Sequence, residues 1–197
     1  VNLQLPPASA STAAGLPCSG FTLIEMLVVV VIVSIVVAVG LPNFQEFIRE
    51  QRVRSVASDL VGDLALARSE AARFSTRVIV ARAGFAGCTM PGTAWNEGWC
   101  LFVDNNANGT ADAGEILKVQ QPVGGGLRIC SAVADFANTV VFTPRGQVVR
   151  NGAVGANDGL VITDDTTGAA NSRTRILMFG LVGRVTTVTQ NNAAPPC

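Results

Sequence analysis

The stretch from Asp104 to Glu115 (DNNANGTADAGE) is the part of this chain best supplied with ion-binding atoms. It follows the twelve-residue calcium-loop pattern. Asp104, Asn106, Asn108, Asp112 and Glu115 put side-chain oxygens at its ligand positions, Thr110 offers a carbonyl, and Gly109 stands at the sharp turn. A hard cation wants such an oxygen cluster. The same residue types also close tight hairpins with no metal, and the flanks read as strands rather than as the paired helices of an EF-hand. Calcium binding and plain turn chemistry both stay open, and nothing else in the chain calls for a cofactor.

Glu25 poses a second chemical question. From Phe21 to Leu41 it is the one charged residue among about 21, which as a helix would measure roughly 31 Å, enough to cross a bilayer's hydrocarbon core. The Val and Ile that fill this run favour strand in water, but in lipid the backbone must close its own hydrogen bonds and helix wins. A carboxylate inside the hydrocarbon costs about 2.5–3.5 kcal/mol unless it is neutralised, so Glu25 needs a partner that the segment itself does not supply.

Gly20-Phe21-Thr22-Leu23-Ile24-Glu25, followed by about 16 apolar residues, resembles the class III signal of type IV pilins and type II secretion pseudopilins; an ordinary signal anchor that contains a Glu is the alternative. The resemblance implies that a prepilin peptidase cuts between Gly20 and Phe21 and methylates the new amino terminus. Glu25 would then pair with the Phe21 amine, its own or that of the subunit it docks against. Further motifs resemble the GspH/FimT/FimU branch of minor pilins and pseudopilins: Ala67-Arg68-Ser69-Glu70-Ala71, Gly98-Trp99 with Phe102 and Asp104, Phe142-Thr143-Pro144-Arg145-Gly146, and Gly183-Arg184-Val185. In that light Trp99 is core filler. FimT-like pilins carry a Gly-Arg-x-Arg element implicated in DNA uptake. Here its last position is Thr186, so Arg184 stands without its second arginine, and Arg173 and Arg175 on a neighbouring strand are the candidates to replace it. The alternative is that Pro and Gly close hairpins while the arginines face water.

These groups need elements to hold them. Residues 1–20, rich in Pro, Ala and Ser, are read as a leader, although it lacks the Lys or Arg such leaders carry. Residues 21–42 are the transmembrane and assembly helix, with Pro42 expected to kink or loosen it rather than end it. Residues 43–75 are its amphipathic half: Val53, Val56, Leu60, Leu64, Ala67 and Ala71 recur at helical spacing, and Arg52, Arg54, Asp59, Asp63, Arg68 and Glu70 are left for other faces. Residues 76–197 form a β-rich domain, with strands expected at 77–82, 98–104, 115–120, 139–143, 147–150, 159–163, 174–179 and 184–189 in an antiparallel meander. Together with the resemblance this gives an α+β, pilin-like fold: a long N-terminal helix packed on antiparallel sheet.

Of the five cysteines, Cys18 lies in the leader. Cys88, Cys100, Cys130 and Cys197 would form two disulfides in an oxidising periplasm. Four cysteines allow three pairings. The short loop between Cys88 and Cys100 favours that pair, which leaves Cys130 for Cys197; free structural thiols are the alternative.

Composition excludes more than it selects. Lys plus Arg and Asp plus Glu each number 14, and there is no His and no Tyr. Net charge therefore recommends neither nucleic acid nor an acidic partner, and the commonest general base is absent. No nucleophile motif, P-loop or dinucleotide fingerprint is present, and Gly124-Gly125-Gly126 reads as a linker, so no enzyme is expected. The resemblance implies a structural subunit of the bacterial inner membrane that passes into a filament or its tip. Its partners would be other major and minor pilins or pseudopilins, with DNA a weaker candidate. A minor type IV pilin that primes or caps assembly, a minor pseudopilin of type II secretion and a DNA receptor for transformation are the three readings.

Overall fold

The structure, a computed structural model, describes residues 20–131, 133–149, 159–164, 173–180 and 182–191; at 39, 41–43, 173 and 191 it describes the backbone alone. Residues 1–19 of the expected leader, residues 150–158 and the tail with Cys197 lie outside the described residues.

Helix α1 runs from Leu23 to Phe74, 52 residues, and ends where the apolar spacing ends. Its start is set by Thr22, whose hydroxyl accepts the Glu25 amide at 3.3 Å while its carbonyl accepts the Met26 amide at 3.2 Å. That is an N-cap, and Thr-x-x-Glu is the sequence of a capping box. Helical backbone continues through Pro42, so this proline does not end the helix.

The chain divides into two compact units, 1–44 and 45–197. In the first, Leu23 to Val37 is exposed on every face of the helix and apolar except for Glu25 and Ser34. Among the described residues no helix is long and apolar enough to cross a membrane; the side chains at 39, 41 and 42, within the expected span of 21–42, are not described.

The second unit is built on two four-stranded antiparallel sheets. Strands β1 (Arg77–Arg82), β2 (Trp99–Asp104), β3 (Ile116–Gln120) and β5 (Thr139–Phe142) form one in the order β3-β2-β1-β5. The other is β4 (Leu127–Ser131), β6 (Gly159–Asp164), β7 (Arg173–Phe179) and β8 (Val185–Asn191), in the order β4-β6-β7-β8. The expected single meander is thus corrected: β4 and β5 cross over, each joining the other sheet's sequence neighbours. β4 is a strand the sequence reading missed. Its alternation, Leu127 and Ile129 buried with Arg128 exposed, is only one period long and follows a glycine run. The strand expected at 147–150 is reduced to one bridge, Phe142 with Val148, because a glycine turn spends those residues on closing a hairpin.

One apolar core joins helix and sheets. Val53, Val56, Leu60, Leu64, Ala67 and Ala71 are all buried in it, against Trp99, Leu101, Val140, Leu160 and Leu177. Asp63, expected on a free face, is instead 3% exposed. Trp99 Nε1 donates to its Oδ2 at 2.9 Å, and Lys118 forms an ion pair with its Oδ1. A buried carboxylate persists only with such partners. A smaller cluster, including Ile79, Ala81, Cys100 and Phe102, covers the far face of the first sheet under the segment that carries Cys88 and Met90.

Candidate functional site

Gly20, Phe21 and Thr22 are non-helical, and all three are exposed. The residues expected to be cut therefore precede the first helical residue. Glu25 sits in the first turn of α1, where the helix dipole favours a negative charge. Among the described residues its carboxylate makes no ion pair.

The loop from Asp104 to Glu115 links β2 to β3, as its flanks suggested, and its oxygens are directed largely at the loop's own donors. Asp104 Oδ1 accepts the Gly109 amide at 3.1 Å, and its Oδ2 pairs with Arg77 Nη2 at 2.8 Å. Asp112 Oδ2 accepts the side-chain amides of Asn106 and Asn108 at 2.7 and 2.9 Å. Glu115 accepts from Asn105 N and Asp112 N, both at 3.1 Å. Thr110 donates its amide to Asn108 Oδ1 at 2.7 Å. Among the described residues no group of three acidic or cysteine side chains is placed to hold a metal ion.

Cys88 and Cys100 form a disulfide with a Cα–Cα distance of 5.9 Å. It ties the segment after β1 to the start of β2. Cys130 is also disulfide-bonded; its partner lies outside the described residues, as does the expected Cys197.

The arginines are arranged differently from the expectation. Phe179 pairs with Val185, next to Arg184, whereas Arg175 pairs with Thr189 and Arg173 with Asn191. At ~3.4 Å per residue Arg175 is about 14 Å and Arg173 about 20 Å along β7 from that end, so neither stands beside Arg184. Arg175 instead donates to Thr189 Oγ1 at 2.7 Å and lies 3.9 Å from Glu50. Arg184 is joined by Arg145 and Arg68, which sequence reasoning did not assign to it.

Two hairpins of one kind bring them together. Gly146 N donates to Thr143 O and Thr143 N to Gln147 O, both at 2.8 Å; Gly183 N donates to Gly180 O at 2.9 Å and Gly180 N to Arg184 O at 2.7 Å. Each is a glycine-bulge hairpin, with Gly146 at φ 71° and Gly183 at φ 73°. Gly183 is required twice over, by its φ and by the backbone beside it, whereas Gly146 is required by its φ and neighbours only a flexible side chain. A Cβ on Gly183 would stand 1.9 Å from Gly146 O, and one on Gly146 would stand 2.9 Å from Arg68 Nε. The stacked tips and α1 enclose a groove of about 560 Å³, with Val61, Ala65, Ala72 and Val185 among its apolar lining and Arg68, Arg145 and Arg184 at its rim. All three arginines are exposed, and among the described residues none makes an ion pair with a carboxylate.

A helix entered through a peptidase-type motif, its later half packed on antiparallel sheet, defines a pilin-like subunit. Residues 17–41 match the prokaryotic N-terminal methylation motif, and residues 56–180 match the family described as type II transport protein GspH. The chain belongs to this GspH family of pilin-like proteins. Membership implies association with other pilins or pseudopilins and processing by a prepilin peptidase. Among solved structures it is similar to the type IV minor pilin FimU of Pseudomonas aeruginosa strain PAO1 in two crystal forms. Identity is 16% in both, with TM-scores of 0.47 and 0.43, over 76% and 73% of this chain and 96% of the FimU chain in each. No curated protein matches.

Proposed function

We propose that the chain is a minor type IV pilin, a structural subunit that primes or caps a filament. Before assembly it is held in the inner membrane by the segment 21–42, with its β-rich domain in the periplasm. The observation that carries this reading is the exposed apolar first part of α1, with Glu25 in its first turn and no ion pair to its carboxylate among the described residues. Such a surface is matched by lipid or by the same helix of neighbouring subunits, and the Glu25 carboxylate by a free amine at Phe21. In piliated cells, Glu25→Ala should be processed and inserted as wild type while its yield in sheared filaments falls about tenfold or more, the scale set by an unmatched buried charge. Filaments that hold wild-type amounts of the variant would rule the charge pair out.

The second reading, a minor pseudopilin of type II secretion, is favoured by the description of the family to which the chain belongs. It predicts the same processing and the same effect of Glu25→Ala. Restoring secretion but not piliation in cells lacking the subunit would select it. The third reading, a DNA receptor, keeps Arg184 but not Arg173 or Arg175 beside it. Arginines exposed in this way give salt-sensitive, sequence-blind contact with phosphates, and binding of duplex DNA at low salt, lost in Arg184→Ala, is its test.

A further inference from the structure

The arginine groove does not end at the stacked hairpins. It meets a second depression of about 260 Å³ at Val61, lined also by Arg54, Ala57, Ser58, Arg175 and Thr187. From Arg54 to Ala72 the two follow α1 for roughly 27 Å, the length of about eight residues of extended chain. Beside them runs β8, which among the described residues pairs with β7 alone and so forms the edge of its sheet. Thr186 to Gln190 are exposed in succession, on both faces, and none is charged. Natural edges are commonly blunted by charge, Pro or a bulge within the strand; β8 has none of these between Val185 and Asn191.

Its open side can be assigned. The bond from Gly180 N to Arg184 O sets the antiparallel alternation. The pairs Met178–Thr186 and Ile176–Val188 then exchange hydrogen bonds, and Leu177–Thr187 and Arg175–Thr189 do not. The amides and carbonyls of Thr187 and Thr189 therefore point away from β7, as a row of unpaired donors and acceptors.

Charge along the groove is uneven. At one end Arg54 and Arg175 share Glu50; at the other Arg68, Arg145 and Arg184 have no carboxylate among the described residues. Among the described residues the lining contains no aromatic side chain, the main stacking platform by which proteins hold single-stranded nucleic acid. Main-chain groups at a sheet edge, moreover, are matched by another peptide backbone.

We infer that the groove between α1 and β8 is a docking site for an extended acidic segment of a partner protein. That segment adds a strand to the Thr187–Thr189 edge, lays apolar side chains over Val61 and Val185, and places carboxylates on Arg68, Arg145 and Arg184. This is strand addition with charged specificity at one end, and it does not depend on which filament the subunit joins.

The test uses the full chain in non-ionic detergent and fluorescence anisotropy with a labelled octapeptide of alternating valine and glutamate. Its lysine counterpart and a single-stranded oligonucleotide of equal charge are the comparisons. The glutamate peptide should bind and the lysine peptide should not. Arg184→Glu should weaken binding about tenfold or more by reversing a contact charge, and Thr187→Pro by a similar factor by removing an outward amide that an edge strand can spare. Thermal midpoints should stay within a few degrees of wild type; Thr189→Pro repeats the edge test should Thr187→Pro unfold. Peptide binding unchanged in folded Arg184→Glu and in a folded edge variant would overturn the proposal. So would an oligonucleotide that binds more tightly than the peptide and is indifferent to Thr187→Pro, which would make nucleic acid the occupant.

Discussion

Asp63 and Glu25 are acids of the same helix in opposite situations. Asp63 is buried beside Trp99 and Lys118, both from the first sheet, and each of its oxygens has a donor. Glu25 stands among exposed apolar side chains, and its carboxylate has no cation among the described residues. A carboxylate in apolar surroundings is tolerated when its partner is fixed. The domain carries the partners of Asp63 within itself. On the proposed function, the match for Glu25 comes from the processed terminus or from another molecule. One acid helps complete a fold; on the proposed function, the other completes an assembly.

Four perturbations sharpen the contrast. Removing Asp63 should cost most. Asp63→Ala leaves Trp99 Nε1 and the half-exposed Lys118 without an acceptor, and should destabilise the domain by about 3 kcal/mol, a fall of roughly 6–12 °C in thermal midpoint. Glu25→Ala should leave the same midpoint unchanged; equal losses from the two substitutions would erase the distinction. Next is the Cys88–Cys100 bridge, with a sequence separation of 12. Replacing both cysteines by Ala should cost about 2–3 kcal/mol in denaturant titration, through the freed loop alone. Third, Thr22→Ala removes the cap that precedes Glu25. About 1 kcal/mol of end stability should go, visible as several-fold faster amide exchange at Glu25 and Met26 with no change in the domain. The smallest effect is expected of calcium. The loop oxygens already serve Arg77, loop amides and Asn side chains, so millimolar calcium or a chelator should leave the midpoint in place. A cation bound at a hundredfold its dissociation constant would add about 2.7 kcal/mol, and a rise of that size would mark the loop as a metal site.

Much of the fold was legible because it follows from local patterns. The apolar spacing of Val53 to Ala71 gave the buried face of α1, and the Gly-Asn punctuation gave most of the strands. What escaped depends on contacts distant in sequence. Asp63 reads as one more polar helix residue until Trp99 and Lys118, far along the chain, are brought to it. The crossing of β4 and β5 between sheets leaves no trace in spacing, since either order presents the same alternation. Arg68 and Arg145 were each visible in a motif, but nothing local says that two glycine-bulge hairpins stack and carry both to Arg184. Arg173 and Arg175 were chosen for proximity in strand pairing, whereas the hairpin register carries them towards the far end of β7. The Thr-x-x-Glu signature at Thr22 was present in the sequence and would have given the helix start.

That cap also bears on how the chain is handled before it matures. A protease threads its substrate through a cleft as an open strand, and residues already wound into a helix must first be unwound. By starting α1 at Leu23, Thr22 leaves the Gly20–Phe21 linkage, the expected cut, in unwound chain. On the proposed processing, the boundary between the open strand a peptidase needs and the helix it leaves behind is thus set by one hydroxyl group.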